Sequence, residues 1–328
     1  MEGAESDHGH IRKGGYFVIV FLWVILVLAA VYLAVTYYFF NFACRRSRPG
    51  KGVGAKIAAG MDAELAPYQD MIRRGNQFLK SHAYEDVTIT SYDGLTLRAR
   101  LYIHPNAKGV VVAVHGYRSG GSRDFGAVCP FYYNDLSCSI LLIDQRACGQ
   151  SEGKYITFGV RERFDVREWC RFIARRFEGV PIVLGGVSLG ASTVLMASDI
   201  LPDGVKVILA DCGYVSAWEE LAWVAGKMHV PAGLLLPGVD MWCRLLAGFG
   251  LKECTTTQSL AKNTRPVFFL HGRADELVPF SNTPRNTAAC AAPWTLFAVD
   301  NAGHGMSFCV DPDGYYRAVT AFLDEHVF

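Results

Sequence analysis

The stretch Pro181-Ile182-Val183-Leu184-Gly185-Gly186-Val187-Ser188-Leu189-Gly190-Ala191-Ser192-Thr193-Val194-Leu195-Met196-Ala197 decides how this chain is read. Its first part is an apolar run suited to a buried strand and its last part suits a helix. Gly186-Val187-Ser188-Leu189-Gly190 joins the two. Strand, sharp turn, serine, helix is the context in which a fold lifts a serine hydroxyl clear of a sheet edge as a nucleophile. The flanking glycines fit, because the backbone at such a serine is strained and neighbouring chain packs where a Cβ would clash. The helix N-terminus below favours developing negative charge. A bare G-x-S-x-G also occurs in glycine-rich turns around an ordinary serine, so the weight falls on the surrounding segments.

Gly109-Val110-Val111-Val112-Ala113-Val114 is a continuous apolar run, as in a central parallel strand covered on both faces. It leads into His115-Gly116-Tyr117-Arg118-Ser119-Gly120-Gly121, a loop whose backbone can approach a ligand. The N–H groups of Tyr117 and of Leu189 are the expected oxyanion donors. His115 reads as a support for this loop, because a better-placed histidine lies downstream. Arg265-Pro266-Val267-Phe268-Phe269-Leu270 is another buried strand, and Asp275 beyond it is the expected triad carboxylate. Glu276 should point elsewhere, and Asp211, also past a strand, is the rival acid. Trp294 to Val299 forms the last strand, followed by His304 between Gly303 and Gly305. Histidine between two glycines after the last strand is poorly explained as core packing. In the order Ser188, Asp275, His304, each group follows the carboxyl end of a strand, so all should meet at one sheet edge.

With these pieces in place the chain resembles the α/β-hydrolases of the membrane-anchored, serine-aminopeptidase-like and prolyl-oligopeptidase-like branch. The matching segments are His115-Gly116-Tyr117, Asp144-Gln145-Arg146 through Gly149-Gln150-Ser151-Glu152-Gly153, the Ser188 turn, Asp211-Cys212-Gly213-Tyr214, and the Asp275 and His304 segments. They span roughly residues 86 to 328. The family usually shows Arg-Gly-His-Gly where this chain has Arg146-Ala147-Cys148-Gly149, a structural turn at which Cys148 reads as a small buried residue.

Hydrophobic residues make up 51% of the 328, and part of the excess has a clear source. Tyr16 to Phe40 contains no charged residue, and roughly 20 apolar residues suffice to cross a bilayer. Tyr16, Tyr37, Tyr38, Phe39 and Phe40 sit at its ends as interfacial aromatics do. The expected organisation is an N-terminal tail (1–15), a transmembrane helix (16–40), a basic juxtamembrane linker (41–60) and an α/β-hydrolase domain (61–328). Arg45, Arg46, Arg48, Lys51 and Lys56 outnumber Arg12 and Lys13, which places the catalytic domain in the cytoplasm by the positive-inside tendency; an outward-facing domain is the alternative. Ten scattered cysteines agree with a reduced compartment.

The spacing predicts a helix over 62–81 with Leu65, Tyr68, Met71, Ile72, Phe78 and Leu79 on one side. Val87 to Thr90 and Leu95 to Tyr102 read as a hairpin about Asp93-Gly94, forming an antiparallel edge. The remaining strands, near 109–115, 139–144, 181–187, 205–210, 266–271 and 294–299, alternate with helices, one of them over 160–177 with Phe164, Val166, Trp169, Phe172 and Ile173 against the sheet. The expected fold is thus a mostly parallel eight-stranded sheet with helices on both faces. Residues 214–260 break the alternation with an apolar helical insertion. It reads equally as a lid over a hydrophobic pocket and as a segment packed on the body.

The expected activity is acyl transfer to water, cleaving an ester, thioester or amide through an acyl-enzyme, with Ser188, His304 and Asp275 as triad. No cofactor or metal is required, and a net charge of +1 without P-loop, dinucleotide or zinc spacing gives no sign of nucleic-acid binding. Lipid-like, small-molecule and peptide acyl substrates all fit, with the anchor and apolar lid favouring lipid-like esters. An acyltransferase with the same triad and a catalytically silent membrane-tethered binding module are the alternatives.

Overall fold

The computed structural model describes residues 8–46 and 64–328, with side chains from residue 16 onward. A long helix α1 (His8–Cys44) comes first, and a 3₁₀ turn (Ala66–Tyr68) leads into α2 (Gln69–Ser81). Then follow β1 (Glu85–Thr90), β2 (Thr96–Tyr102), β3 (Gly109–Val114), α3 (Gly121–Phe125), β4 (Cys138–Asp144), α4 (Glu162–Arg176), β5 (Ile182–Val187), α5 (Leu189–Ala197) and β6 (Val205–Asp211). Helices α6 (Ala217–Lys227), α7 (Ala232–Trp242) and α8 (Thr256–Leu260) separate β6 from β7 (Val267–Gly272). The chain closes with α9 (Asn282–Ala289), β8 (Trp294–Val299), α10 (Ser307–Val310) and α11 (Pro312–His326).

The strands form one sheet of eight in the order β1-β2-β4-β3-β5-β6-β7-β8. The β1–β2 hairpin and the β2–β4 pair are antiparallel, and every later pair is parallel. Valine side chains of β3 alternate between two cores. Val110, Val112 and Val114 face Trp169 and Ile173 of α4 and Val194 of α5. Val111 and Ala113 face the core that holds Leu79 of α2 and Val319 and Phe322 of α11. Burial on both faces is why this strand carries no polar residue. The chain leaves β3 toward β4 and returns to the other side of β3 as β5, so the loops after β3 and β5 open a crevice at the carboxyl edge.

The structure departs from the sequence expectations at particular places. Asp62 and Ala63 of the predicted helix lie outside the described residues, as do residues 1–7 of the tail and 47–60 of the linker. Pro67 breaks the remainder into a 3₁₀ turn and α2. Phe164 is only half-buried; its ring meets Tyr92 and lies beneath Arg163 and Arg167 instead of packing in the sheet core.

The largest difference concerns α1, which continues through Cys44, beyond the expected boundary at Phe40. Residues from Tyr16 to Val35 are exposed, a length of about 30 Å at 1.5 Å per residue, matching a bilayer's hydrocarbon core. From Thr36 the helix is docked on the body. Phe40 and Cys44 are fully buried with Leu235, Val239 and Cys243, so Phe40 is a packing residue and not an interfacial aromatic. The last carbonyls, orphaned at any helix end, are partnered: Tyr117 Oη donates to Ala43 O (2.7 Å) and Arg118 Nη2 to Phe42 O (2.7 Å). Arg46 donates to the carbonyls of Gly149 and Ser151, so part of the basic cluster after the helix is structural.

At the turn after β5, a Cβ on Gly190 would overlap the Val114 carbonyl, and one on Gly186 would overlap the Gly190 backbone. Gly190→Ala should therefore cost about 1–3 kcal/mol of stability through overpacking, read as a lowered melting temperature.

Candidate active site

Ser188 has φ 57° and ψ −119°, an unfavourable conformation for a residue with a Cβ. The surroundings hold it there: Ser188 N donates to Asp211 O (2.8 Å), Ser192 N donates to Ser188 O (3.0 Å), and the two close glycine contacts leave no room to relax. The hydroxyl emerges at the floor of a cavity of about 260 Å³ lined by Tyr117, Phe158, Leu221, Val224, Leu277 and His304 among others.

The structure brings Ser188, His304 and Asp275 together. Ser188 Oγ lies 2.8 Å from His304 Nε2, and His304 Nδ1 lies 2.8 Å from Asp275 Oδ2. All three are buried. The carboxylate can only accept, so Nδ1 carries a proton and Nε2 is free to accept from the serine hydroxyl. Asp275 is held by its own loop, whose Leu277 and Val278 N–H groups donate to Oδ1, each at 2.9 Å. Burial alone would raise the Asp275 carboxyl. Hydrogen bonds from His271 and His304 outweigh it and hold the group well below the usual carboxylate range. Burial opposes the charge on His304, but the hydrogen bond and charge of Asp275 outweigh that and raise the imidazole. A hydroxyl, an imidazole and a carboxylate in this order can draw the serine proton onto His304 as Oγ attacks an electrophile.

Tyr117 and Leu189 both line the cavity, and neither backbone N–H has a hydrogen-bond partner among the described residues. The loop carrying Tyr117 is fixed from below by Asp124, whose Oδ2 accepts from Gly116 N (2.6 Å). His115 lies outside the triad: its Nδ1 donates to Gly116 O (2.8 Å) and its Nε2 accepts from Gln145 N (3.1 Å), tying the loop to the end of β4. Asp211, the rival acid, accepts from Ser307 Oγ (3.1 Å), with no hydrogen bond to His304 among the described residues. Burial pushes its carboxyl up to about 6. Glu276 points away, to Lys227 Nζ at 3.0 Å. Cys148 is buried and burial pushes its thiol up to about 12, as for an inert packing residue.

Two residues at the site escaped the sequence reading. His271, at the end of β7, lies with Nε2 at 3.2 Å from Asp275 Oδ2 and 2.9 Å from Val278 O, while Nδ1 meets Thr283 Oγ1 at 2.6 Å. Two acceptors around Nε2 place the proton there, so Nδ1 accepts from the threonine. The second is Glu220 of α6, 9% exposed on the cavity wall. Its neighbour Glu219 pairs with Arg285, but the Glu220 carboxyl has no hydrogen bond or ion pair among the described residues. Burial pushes it up to about 8, countered by His304 and reinforced by Asp275. Two adjacent acids in a mostly apolar helix were the available signal, but not which one turns inward.

The sign for stability follows. Glu220 binds its proton more tightly folded (about 8) than unfolded, where a glutamate titrates near 4.3. Burying it costs nothing below the unfolded value, and the cost grows as pH rises until both states are ionised above about 8. Glu220→Gln should raise the melting temperature at pH 9 and lose that advantage near pH 4, followed by thermal unfolding.

No protein-family model matches the chain. The uncharacterized protein YqkD of Bacillus subtilis is 30% identical over 193 residues, covering 58% of this chain and 63% of that protein. The alpha/beta hydrolase domain-containing protein WAV2 of Arabidopsis thaliana is 24% identical over 260 residues, covering 74% of this chain and 79% of that protein. Among solved structures, the esterase Pf2001 of Pyrococcus furiosus superposes with a TM-score of 0.62 at 22% identity, covering 76% of this chain and 93% of its own. With the eight-stranded order and the crevice at the switch between β3 and β5, these likenesses give the chain the fold of the α/β-hydrolase superfamily.

Proposed function

We propose that the chain is a serine hydrolase that cleaves carboxylic ester, thioester or amide bonds through an acyl-enzyme. The observation that carries this reading is the unbroken relay from Ser188 Oγ to His304 to Asp275, with 2.8 Å at each step. Ser188 Oγ attacks the acyl carbon while His304 Nε2 takes its proton. The N–H groups of Tyr117 and Leu189 hold the oxyanion, and Asp275 stabilises the imidazolium. His304 returns the proton to the leaving alcohol, thiol or amine as its bond to the acyl carbon breaks. Water, deprotonated by His304, then splits the acyl–Oγ bond and releases the carboxylic acid. His271 is a positioning residue that holds the far side of Asp275.

The reading of α1 is a single-pass membrane anchor and not a removable leader. Phe40, Ala43 and Cys44 are built into the lid cluster, so removing the helix would expose that core and free the Tyr117 loop. The excess of basic residues after the span supports a cytoplasmic catalytic domain, with an outward-facing domain as the alternative. The ten cysteines, all free of disulfides, accord with that compartment.

A fluorophosphonate probe should label the protein and fail to label Ser188→Ala. Asp275→Asn should lower kcat by about 10⁴ by holding the wrong imidazole tautomer. Asp211→Asn should leave turnover within about tenfold, the scale of a missing supporting contact. The reverse pattern would reassign the carboxylate. In sealed inside-out vesicles, protease added outside should digest the catalytic domain, while right-side-out vesicles should protect it.

A further inference from the structure

The lid and the membrane helix are one assembly, and their geometry bears on how a substrate reaches Ser188. Along their contact, helices α1 and α7 run in the same direction. Cys243, just past the end of α7, sits on Cys44 with the two sulfurs 3.8 Å apart. From the last residue of α7, the Trp242 ring meets Tyr37 at 5.2 Å and its indole N–H donates to Thr36 Oγ1 (3.1 Å). Gly238 lies directly on Thr36, where a Cβ would press on the threonine side chain. Leu234 is one turn earlier on the same stripe of α7, at the i, i+4 spacing that stacks residues on one helix face. Continuing in that direction, it lies beyond Thr36, alongside the part of α1 that is wholly exposed and long enough to span a bilayer.

The leading end of the lid is built for that position. The run Val230-Pro231-Ala232-Gly233-Leu234-Leu235-Leu236-Pro237-Gly238 carries no charge. Leu234 is 60% exposed, and Met228, just before this run, is 46% exposed. Apolar side chains this open, on a helix packed against the long apolar helix, mark a surface suited to lipid or protein contact. Behind them a second, almost wholly apolar cavity of about 40 Å³ lies between α1, α6 and α7. It shares Phe42, Ala43, Leu221 and Val224 with the cavity that holds Ser188 and His304. The same four side chains thus form a common wall between the two spaces, which places the second cavity between the flank of the membrane helix and the cavity of the serine.

We propose that the leading end of the lid is immersed in the bilayer beside α1, and that the seam between α1, α6 and α7 admits the acyl chain of a membrane lipid ester directly to Ser188. This rests on the hydrolase reading above and assigns its substrate class and route of entry. The carbonyl stops at Ser188 between the Tyr117 and Leu189 amides, and the chain lies back along Leu221 and Val224 toward α1. An alkyl chain loaded this way never crosses water, which removes the desolvation step a water-soluble route imposes.

The test compares two esters with one leaving group, using the full chain reconstituted in phosphatidylcholine vesicles: 4-nitrophenyl palmitate in the bilayer and 4-nitrophenyl butyrate in water. Leu234→Glu places a charge at the exposed leading end, and Leu234→Phe keeps it apolar. The expected result is a loss of about tenfold or more on palmitate for Leu234→Glu, since a carboxylate is costly in a bilayer. Butyrate turnover and fluorophosphonate labelling should stay within about twofold of the parent, on the scale of a neutral surface change. Leu234→Phe should keep both activities. If Leu234→Glu loses neither ester, or both in equal proportion, bilayer loading is overturned. If the parent cleaves butyrate but not palmitate, the substrate class is wrong while the hydrolase reading stands. If the parent cleaves neither ester and takes no label, the hydrolase reading itself falls.

Discussion

The site depends on one crowded backbone crossing, where the turn after β5 presses against the end of β3. Gly190 lies so close to the Val114 carbonyl that no side chain fits, and Gly186 lies too close to the Gly190 backbone for one. Those contacts force Ser188 to φ 57°. Strain of this kind persists only where surrounding structure over-determines it. The supports are the paired strands β3, β5 and β6 and the buried helix α5. Because the turn cannot relax, the hydroxyl points into the crevice, and the Leu189 amide at the start of α5 stands beside it.

Around that point the charges are arranged in layers. The carboxylate is surrounded by donors: two backbone amides and two imidazoles. Such a group stays ionised although buried, and it keeps His304 oriented toward the serine. Glu220 is the counterexample within the same cavity. It has no donor among the described residues, so burial pushes it toward its neutral form. Two carboxyls near one imidazole are driven in opposite directions, one by its donors and one by burial without them, and only the first is equipped to balance a positive charge on it.

The long apolar N-terminal helix is the second structural theme. Its last turn is a working part of the body, because Tyr117 and Arg118 cap its carbonyls and the cavity uses Phe42 and Ala43 as wall. The loop that offers one of the two amides unpaired among the described residues is therefore fastened to the long apolar helix. The apolar helix, the helical insertion and the crevice of Ser188 meet within a few side chains.

The sequence by itself was enough for the sheet and for the three residues now found in hydrogen-bond contact. Their signals are local: apolar runs of strand length, glycines on both sides of Ser188 and His304, and an acid shortly after a strand. Period and backbone freedom act over a few residues, so they leave a pattern a reader can follow. The tertiary structure alone decided the rest. His271 had a strand-end position like His115, and only folding put one against Asp275 and the other under a loop. Glu219 and Glu220 are adjacent, and helix rotation chose which turns inward. The aromatic end of α1 looked like a bilayer boundary, yet Phe40 and Cys44 meet Cys243 and its neighbours some two hundred residues away. A contact between distant parts of a chain has no local periodicity, and so it is written in the fold and not in the order of residues.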